Sequence, residues 1–132
     1  MKTRKVLDAF ALLAYLEKEK GHQRVKDLLE SGAHELFMNA VNAGEAFYII
    51  ARERGLKQAE YFLSVILPSL PIVVLDNSFE EVIEAARLKA KHSVAYADCF
   101  AAATAIRECA VLVTGDPEFA KYGDILKIDW LD

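Results

Sequence analysis

The chain has 132 residues, 54% of them hydrophobic and 27% charged, with a formal net charge of −4. This composition excludes a disordered chain, provides the core of one domain, and argues against wide non-specific binding of nucleic acid. No apolar run reaches the ~18–20 residues that span a bilayer. Asp8 interrupts the basic-then-apolar start and no small-residue cleavage site follows, so the expectation is a mature, cytoplasmic chain forming a single domain over residues 1–132.

"RKVLDAF" opens with a short apolar strand, and "ALLAYLEKEKG" continues as a helix stopping at Gly21. "HQRVKDLLESG" spaces Val25, Leu28 and Leu29 as a second helix. "ELFMNA" reads as a strand, and "NAGEAFYIIARERG" as a helix with cations in its last turn and Gly55 after it. "KQAEYFLSVILPSL" is a helix closed by Pro68, and the β-branched "PIVVLD" is a buried strand. "NSFEEVIEAARLKAKH" is a long amphipathic helix, with Ser78 and Glu81 forming a capping box. The Asp98 helix follows directly. "AVLVTGD" is a buried strand, "PEFAKYG" a short helix with Pro117 at its first position, and "ILKIDW" the last strand. Strands alternating with helices predict an α/β protein: a three-layer α/β/α sandwich around a short, mainly parallel five-stranded sheet.

"AYADCFAAATAI" places Asp98 in a helix that is apolar nearly all round. A buried carboxylate is costly unless it is paired, hydrogen-bonded or bound to a metal. Arg107, nine residues on, is badly spaced to pair with it. Three further acids fall where ligands bind in open α/β sheets, outside the carboxyl ends of the strands. Asp8 ends the first strand, Asp116 ends "AVLVTGD", and Glu45 lies in the first turn of its helix. Taken singly, Asp8 and Asp116 serve as turn or cap residues, and Asn42 with Glu45 spells a capping box. Together the four form one acidic rim. Like charges at that distance raise each other's pKa, and divalent cations relieve the repulsion. All-oxygen ligands suit Mg²⁺ or Mn²⁺, and such ions act on phosphate esters.

Cys99 and Cys109, ten residues apart, are ~15 Å distant along a helix, too far for a disulfide; both are expected as buried, reduced thiols. His22, His34 and His92 show no metal-ligand spacing and are expected at the surface.

The pieces "VLDAFALLAYL", "NAGEAFYI", "AYADCFAAATAI" and "LVTGDPEF", in that order, resemble the PIN-domain family, specifically its small VapC-like ribonucleases. The resemblance implies a Mg²⁺- or Mn²⁺-dependent endoribonuclease, with metal or metal-water contacts for Asp8, Glu45, Asp98 and Asp116. It further implies an RNA substrate, a cognate antitoxin as partner and a homodimer. Thr114 matches the family's usual threonine before its last acid. Asn42 is placed to orient a metal-bound water or to cap its helix, and Glu118 resembles a second acid after Asp116. Phe10 departs from the pattern, standing where the family often has Ser or Thr, so a hydroxyl near the metal shell is missing.

For RNA contact the sequence offers Lys89, Lys91 and His92 on one side and Arg52, Arg54 and Lys57 on another, both equally readable as solvated helix ends. Tyr15, Tyr48, Tyr61 and Phe62 are either core or a protein-binding surface. Two rival readings stand beside the nuclease. One is a phosphoryl-receiver domain using Asp76 and Lys127, which leaves Asp98 and Glu45 without a role. The other is a PIN-like binding module without catalysis.

Overall fold

Five short apolar segments become strands: β1 (Thr3–Leu7), β2 (His34–Asn39), β3 (Ile72–Leu75), β4 (Val111–Thr114) and β5 (Ile128–Trp130). In the computed structural model, which describes residues 2–131, they form one sheet in the order β3-β2-β1-β4-β5. Every pairing is parallel, with Val6 beside Phe37 on one flank and beside Leu112 on the other. Parallel strands need crossovers, and helices supply them: α1 (Ala9–Leu16), α2 (His22–Ser31), α3 (Ala40–Arg54), α4 (Leu56–Tyr61), α5 (Leu67–Ser69), α6 (Phe79–Lys91) and α7 (Tyr96–Arg107).

Strand alternation sends successive side chains to opposite faces. Val6, Phe37 and Leu112 meet α7 through Cys99, Phe100 and its alanines, with Phe119 and Tyr122 completing that layer. Leu7, Leu36 and Val113 meet α1 and α2 on the other face, while Met38 packs with Leu12, Ala46, Ile50 and Phe62. Each fully buried aliphatic side chain is worth about 1.5–3 kcal/mol. The expected α/β/α sandwich with a parallel five-stranded sheet is therefore the fold.

Several local expectations change. β3 is an edge strand rather than a buried one, and its Val73 and Val74 are exposed. The chain runs from α4 through a π-helical turn, Phe62–Ile66, into α5, and the helical run ends at Ser69, one residue after Pro68. Asn42 and Glu45 form no capping box, because α3 begins earlier. Its cap is Asn39, whose side chain accepts from the Val41 N–H at 2.8 Å. The Ser78–Glu81 capping box of α6 is present. The segment after Pro117 is 3-10 helix over Pro117–Ile125. Cys99 is buried as expected, but Cys109 is exposed, in a turn with φ of 52°. Phe62 is core, whereas Tyr48 and Tyr61 are exposed.

Asn39 also donates to Thr104 Oγ1 at 2.8 Å and exchanges hydrogen bonds with Asn77, tying β2 to α7 and to the loop after β3. Asn39→Ala removes a cap worth about 1 kcal/mol and strands buried partners at about 1–3 kcal/mol. The expected loss is about 2–4 kcal/mol in urea denaturation; a midpoint unchanged from wild type would contradict this account.

Candidate active site

In the order β3-β2-β1-β4-β5 the chain leaves β1 toward one edge and β4 toward the other. That reversal opens a crevice at the carboxyl ends of β1 and β4, the usual ligand position in such sheets. Asp8 directly follows β1 and Asp116 lies two residues beyond β4. Helix α7 runs back antiparallel to β4, so its third residue, Asp98, starts from the same rim. Glu45 comes from the second turn of α3, one turn deeper than its sequence position suggested. The four acids line one cavity of about 240 Å³, together with Ala9, Phe10, Leu13, Glu19 and Ile49.

Asp8 is almost fully buried, at 2% exposure. Its Oδ1 accepts from the Ala11 N–H at 2.8 Å, capping α1, and its Oδ2 accepts from the Thr114 hydroxyl at 2.6 Å. Thr114 Oγ1 in turn accepts from the Asp116 N–H at 3.0 Å. One hydroxyl thus fixes the β1 acid and the backbone of the β4 acid. Phe10 carries no hydroxyl, yet Asp8 still receives one, from across the strand pair. Asp116 caps the 3-10 helix through the Glu118 N–H at 3.0 Å. Asn42 is buried and donates to the Ala97 carbonyl at 2.9 Å, holding α3 against the start of α7, while its Oδ1 has no partner among the described residues. Glu118 is exposed, pairs with Lys121 at 3.0 Å, and does not line the cavity.

No cation neutralises these acids. Among the described residues no ion pair reaches Asp8, Glu45, Asp98 or Asp116. Arg107 lies with Glu81 and Glu84, at 3.0 and 2.8 Å, and not with Asp98. Arg54 pairs with Glu17 and Lys89 donates to the Val94 carbonyl, so neither expected cationic cluster turns into the cavity. Asp76 follows the edge strand β3, away from the acids, which removes the receiver-type arrangement.

Burial, with the uncompensated charge added to it, shifts the titrations. Burial first, and then the charges of Asp98 and Asp116, raise Asp8 from 3.8 to about 7, against the lowering by Thr114 and the Ala11 N–H. Burial, followed by Asp116, Glu45 and Glu118, raises Asp98 to about 7 as well. Burial also raises Glu45, with the Asn42 amide opposing and Asp116 adding to the shift. Among the described residues no three His, Cys, Asp or Glu side chains close on a single metal-sized point. The carboxylates instead ring open volume. An all-oxygen set with unpaired negative charge and room for water fits a hard cation that retains part of its hydration shell.

Sequence reasoning missed Glu19, Leu13 and Ile49. Leu13 lies one helical turn past Ala9 and Ile49 one turn past Glu45, so their positions were readable once the two helices were known to face each other. Glu19 follows a turn that no motif announces.

A PIN-domain profile matches residues 5–125. The chain belongs to the PIN-domain family. Solved structures agree on the fold. VapBC2 from Rickettsia felis, bound to a DNA fragment from its promoter, superposes with a TM-score of 0.75 at 18% identity, covering 98% of this chain and 100% of that one. VapC20 from Mycobacterium tuberculosis, a sarcin-ricin loop cleaving toxin, gives 0.73 at 16% identity, covering 92% and 95%. VapBC-1 from nontypeable Haemophilus influenzae gives 0.71 at 19%, covering 98% of each. No functionally curated protein matches the sequence significantly. No described helix of this PIN domain is long and apolar enough to cross a membrane.

The raised carboxyls give stability a defined pH dependence. Asp8 and Asp98 hold protons in the folded state up to about pH 7, whereas the unfolded chain releases them near pH 4. The unfolded state binds fewer protons in that window, so metal-free stability falls as pH rises from about 4 to 7 and levels off above. Melting temperatures in EDTA-containing buffers measure this. Thr114→Val removes a lowering hydrogen bond and carries the decline to higher pH; a profile rising from pH 5 to 7 would refute the assignment.

Proposed function

We propose that this PIN domain is a Mg²⁺- or Mn²⁺-dependent endoribonuclease, acting as a VapC-like toxin of the cytoplasm. The observation that carries the reading is the convergence of Asp8, Glu45, Asp98 and Asp116 on one cavity at the β1–β4 crevice with no cation to balance them. Asp8 and Asp98 are the core ligands. Asp8 is held by two hydrogen bonds, and Asp98 accepts none among the described residues, which leaves its oxygens free. Glu45 and Asp116 complete the set or orient the attacking water, with Thr114 and Asn42 as supports behind them. Bound metal supplies Lewis-acid activation of water and neutralisation of the phosphate. The protein contributes rigid placement: Asp8 by its helix-cap and threonine contacts, Asp98 by a helix whose other faces are buried.

The expected products carry a 5′-phosphate and a 3′-hydroxyl. The alternative, attack by the ribose 2′-hydroxyl, needs a general acid and base. The cavity lining includes no histidine, and His92 packs at a tilt against Tyr122 with ring centres 4.7 Å apart. For partners we propose a cognate antitoxin and a second copy of the chain. The exposed row of Tyr48, Leu56, Tyr61, Leu63 and Val65 along α3, α4 and the π turn supports a protein-binding face.

Cleavage of single-stranded and structured RNAs in Mg²⁺ or Mn²⁺, with EDTA as control and end-group analysis of products, tests the reaction. Asp8→Asn and Asp98→Asn are each expected to lower the rate at least a hundredfold. Cyclic phosphate ends, or cleavage surviving EDTA, would falsify the mechanism. Independently, Mn²⁺ should raise the melting temperature of the wild type by linkage. Asp98→Asn should melt higher than wild type at pH 8 without metal, because it removes repulsion, yet lose most of the Mn²⁺-induced rise.

A further inference from the structure

The acid cavity continues away from the acids along α1. Ala14 lies six residues beyond Asp8, about 9 Å of helix rise, and the Glu19 N–H bonds to its carbonyl at 2.9 Å. Glu19 lines the same cavity as Asp8, so the cavity spans that distance. Between them its walls are apolar, formed by Phe10, Leu13 and Ile49.

Phe10 is 45% exposed and rests against Gly115, where an added Cβ would stand 2.4 Å from the ring. The missing side chain at 115 is therefore what lets the ring lie beside the β4 turn that carries Asp116. Glu19 makes no ion pair or side-chain hydrogen bond among the described residues. Its backbone is fixed by Ala14 on one side and by His22 on the other, and the preceding Lys18 adopts φ of 54°, unusual for a residue with a side chain. The whole cavity, acid end included, is about 240 Å³, below the roughly 300–1,000 Å³ that take drug-sized ligands, so its apolar end has room for no more than one flat ring system against the exposed Phe10.

We propose that this groove is a nucleobase pocket that selects guanine, with Phe10 as the stacking platform and Glu19 reading the base edge. Unpaired bases in RNA stack on aromatic rings and are read on their Watson–Crick edge. Guanine is the base whose edge presents two adjacent donors, N1–H and N2–H, to which the two oxygens of a carboxylate are complementary. A base on Phe10 places its own backbone beside Asp8. Resting on the nuclease reading for this last step, the site cuts RNA next to an unpaired guanosine.

Free nucleosides test the pocket without phosphate or metal. In proton NMR titrations guanosine should move the Phe10 ring resonances upfield and bind at least fivefold tighter than adenosine, cytidine or uridine. Phe10→Leu, which keeps apolar volume but not the ring, should weaken all nucleosides about tenfold. Glu19→Gln should bring guanosine to the level of the others. Unmoved Phe10 resonances, or a guanosine preference retained in Glu19→Gln, overturn the proposal. On an oligouridine containing one guanosine, the wild type in Mg²⁺ should cut beside the guanosine, and Glu19→Gln should spread the cuts. Guanosine binding with no RNA cleavage would support the pocket and refute the nuclease; cleavage indifferent to guanosine would do the reverse.

Discussion

A carboxylate that is almost wholly buried between two neighbouring parallel strands sets the terms for the rest of this molecule. Asp8 is held at that point by the Ala11 N–H and the Thr114 hydroxyl. Those two bonds satisfy its geometry but not its charge, since no lysine or arginine among the described residues pairs with it. The hydroxyl ties β1 to β4 at the place where the sheet order reverses, and through the Asp116 N–H it fixes the next acid too. Helix α7 adds Asp98 to the same rim, and α3 adds Glu45. The result is a set of like charges whose repulsion folding must overcome, and which a cation would relieve.

Much of the scaffold was legible because it rests on local patterns. The β-branched and apolar runs, the capping box at Ser78, Pro117 at a helix start and the alternation of strands with helices each have a short-range physical cause, and all appear in the structure. The four acids were legible for a topological reason: carboxyl ends of parallel strands and the starts of returning helices share an edge. What failed depended on long-range facts. Periodicity cannot show that β3 is outermost, so its valines read as core. Asn42 and Glu45 have the spacing of a capping box, but Asn39 wins the cap because it ends β2 and also bonds Thr104 and Asn77. The π turn before Pro68 has no sequence signature.

Phe10 shows how a departure from a family pattern changes meaning once the structure is known. In the sequence it marks a lost hydroxyl. In the structure Asp8 still accepts from the Thr114 hydroxyl, and the Phe10 ring fills space that Gly115 leaves open. Position 10 is a wall of the cavity. Glu19 escaped notice for a related reason: it is brought to the cavity by a turn with an unusual backbone at Lys18, and single-sequence patterns do not encode such turns.

The acidity of the whole chain also reads differently. A net charge of −4 opposes binding to phosphate; Arg54, Lys121 and Lys89 are engaged by Glu17, Glu118 and the Val94 carbonyl, and the cavity lining includes no lysine or arginine. Attraction of a polyanion therefore does not come from a basic surface lining the cavity. On the nuclease reading it arises inside the cavity, where a divalent ion would turn a carboxylate cluster from repulsive to attractive, and where the proposed apolar walls would add base stacking that is insensitive to salt. Affinity built that way is confined to one small site. On the nuclease reading proposed above, hold on the phosphate and bond cleavage share a single electrostatic requirement.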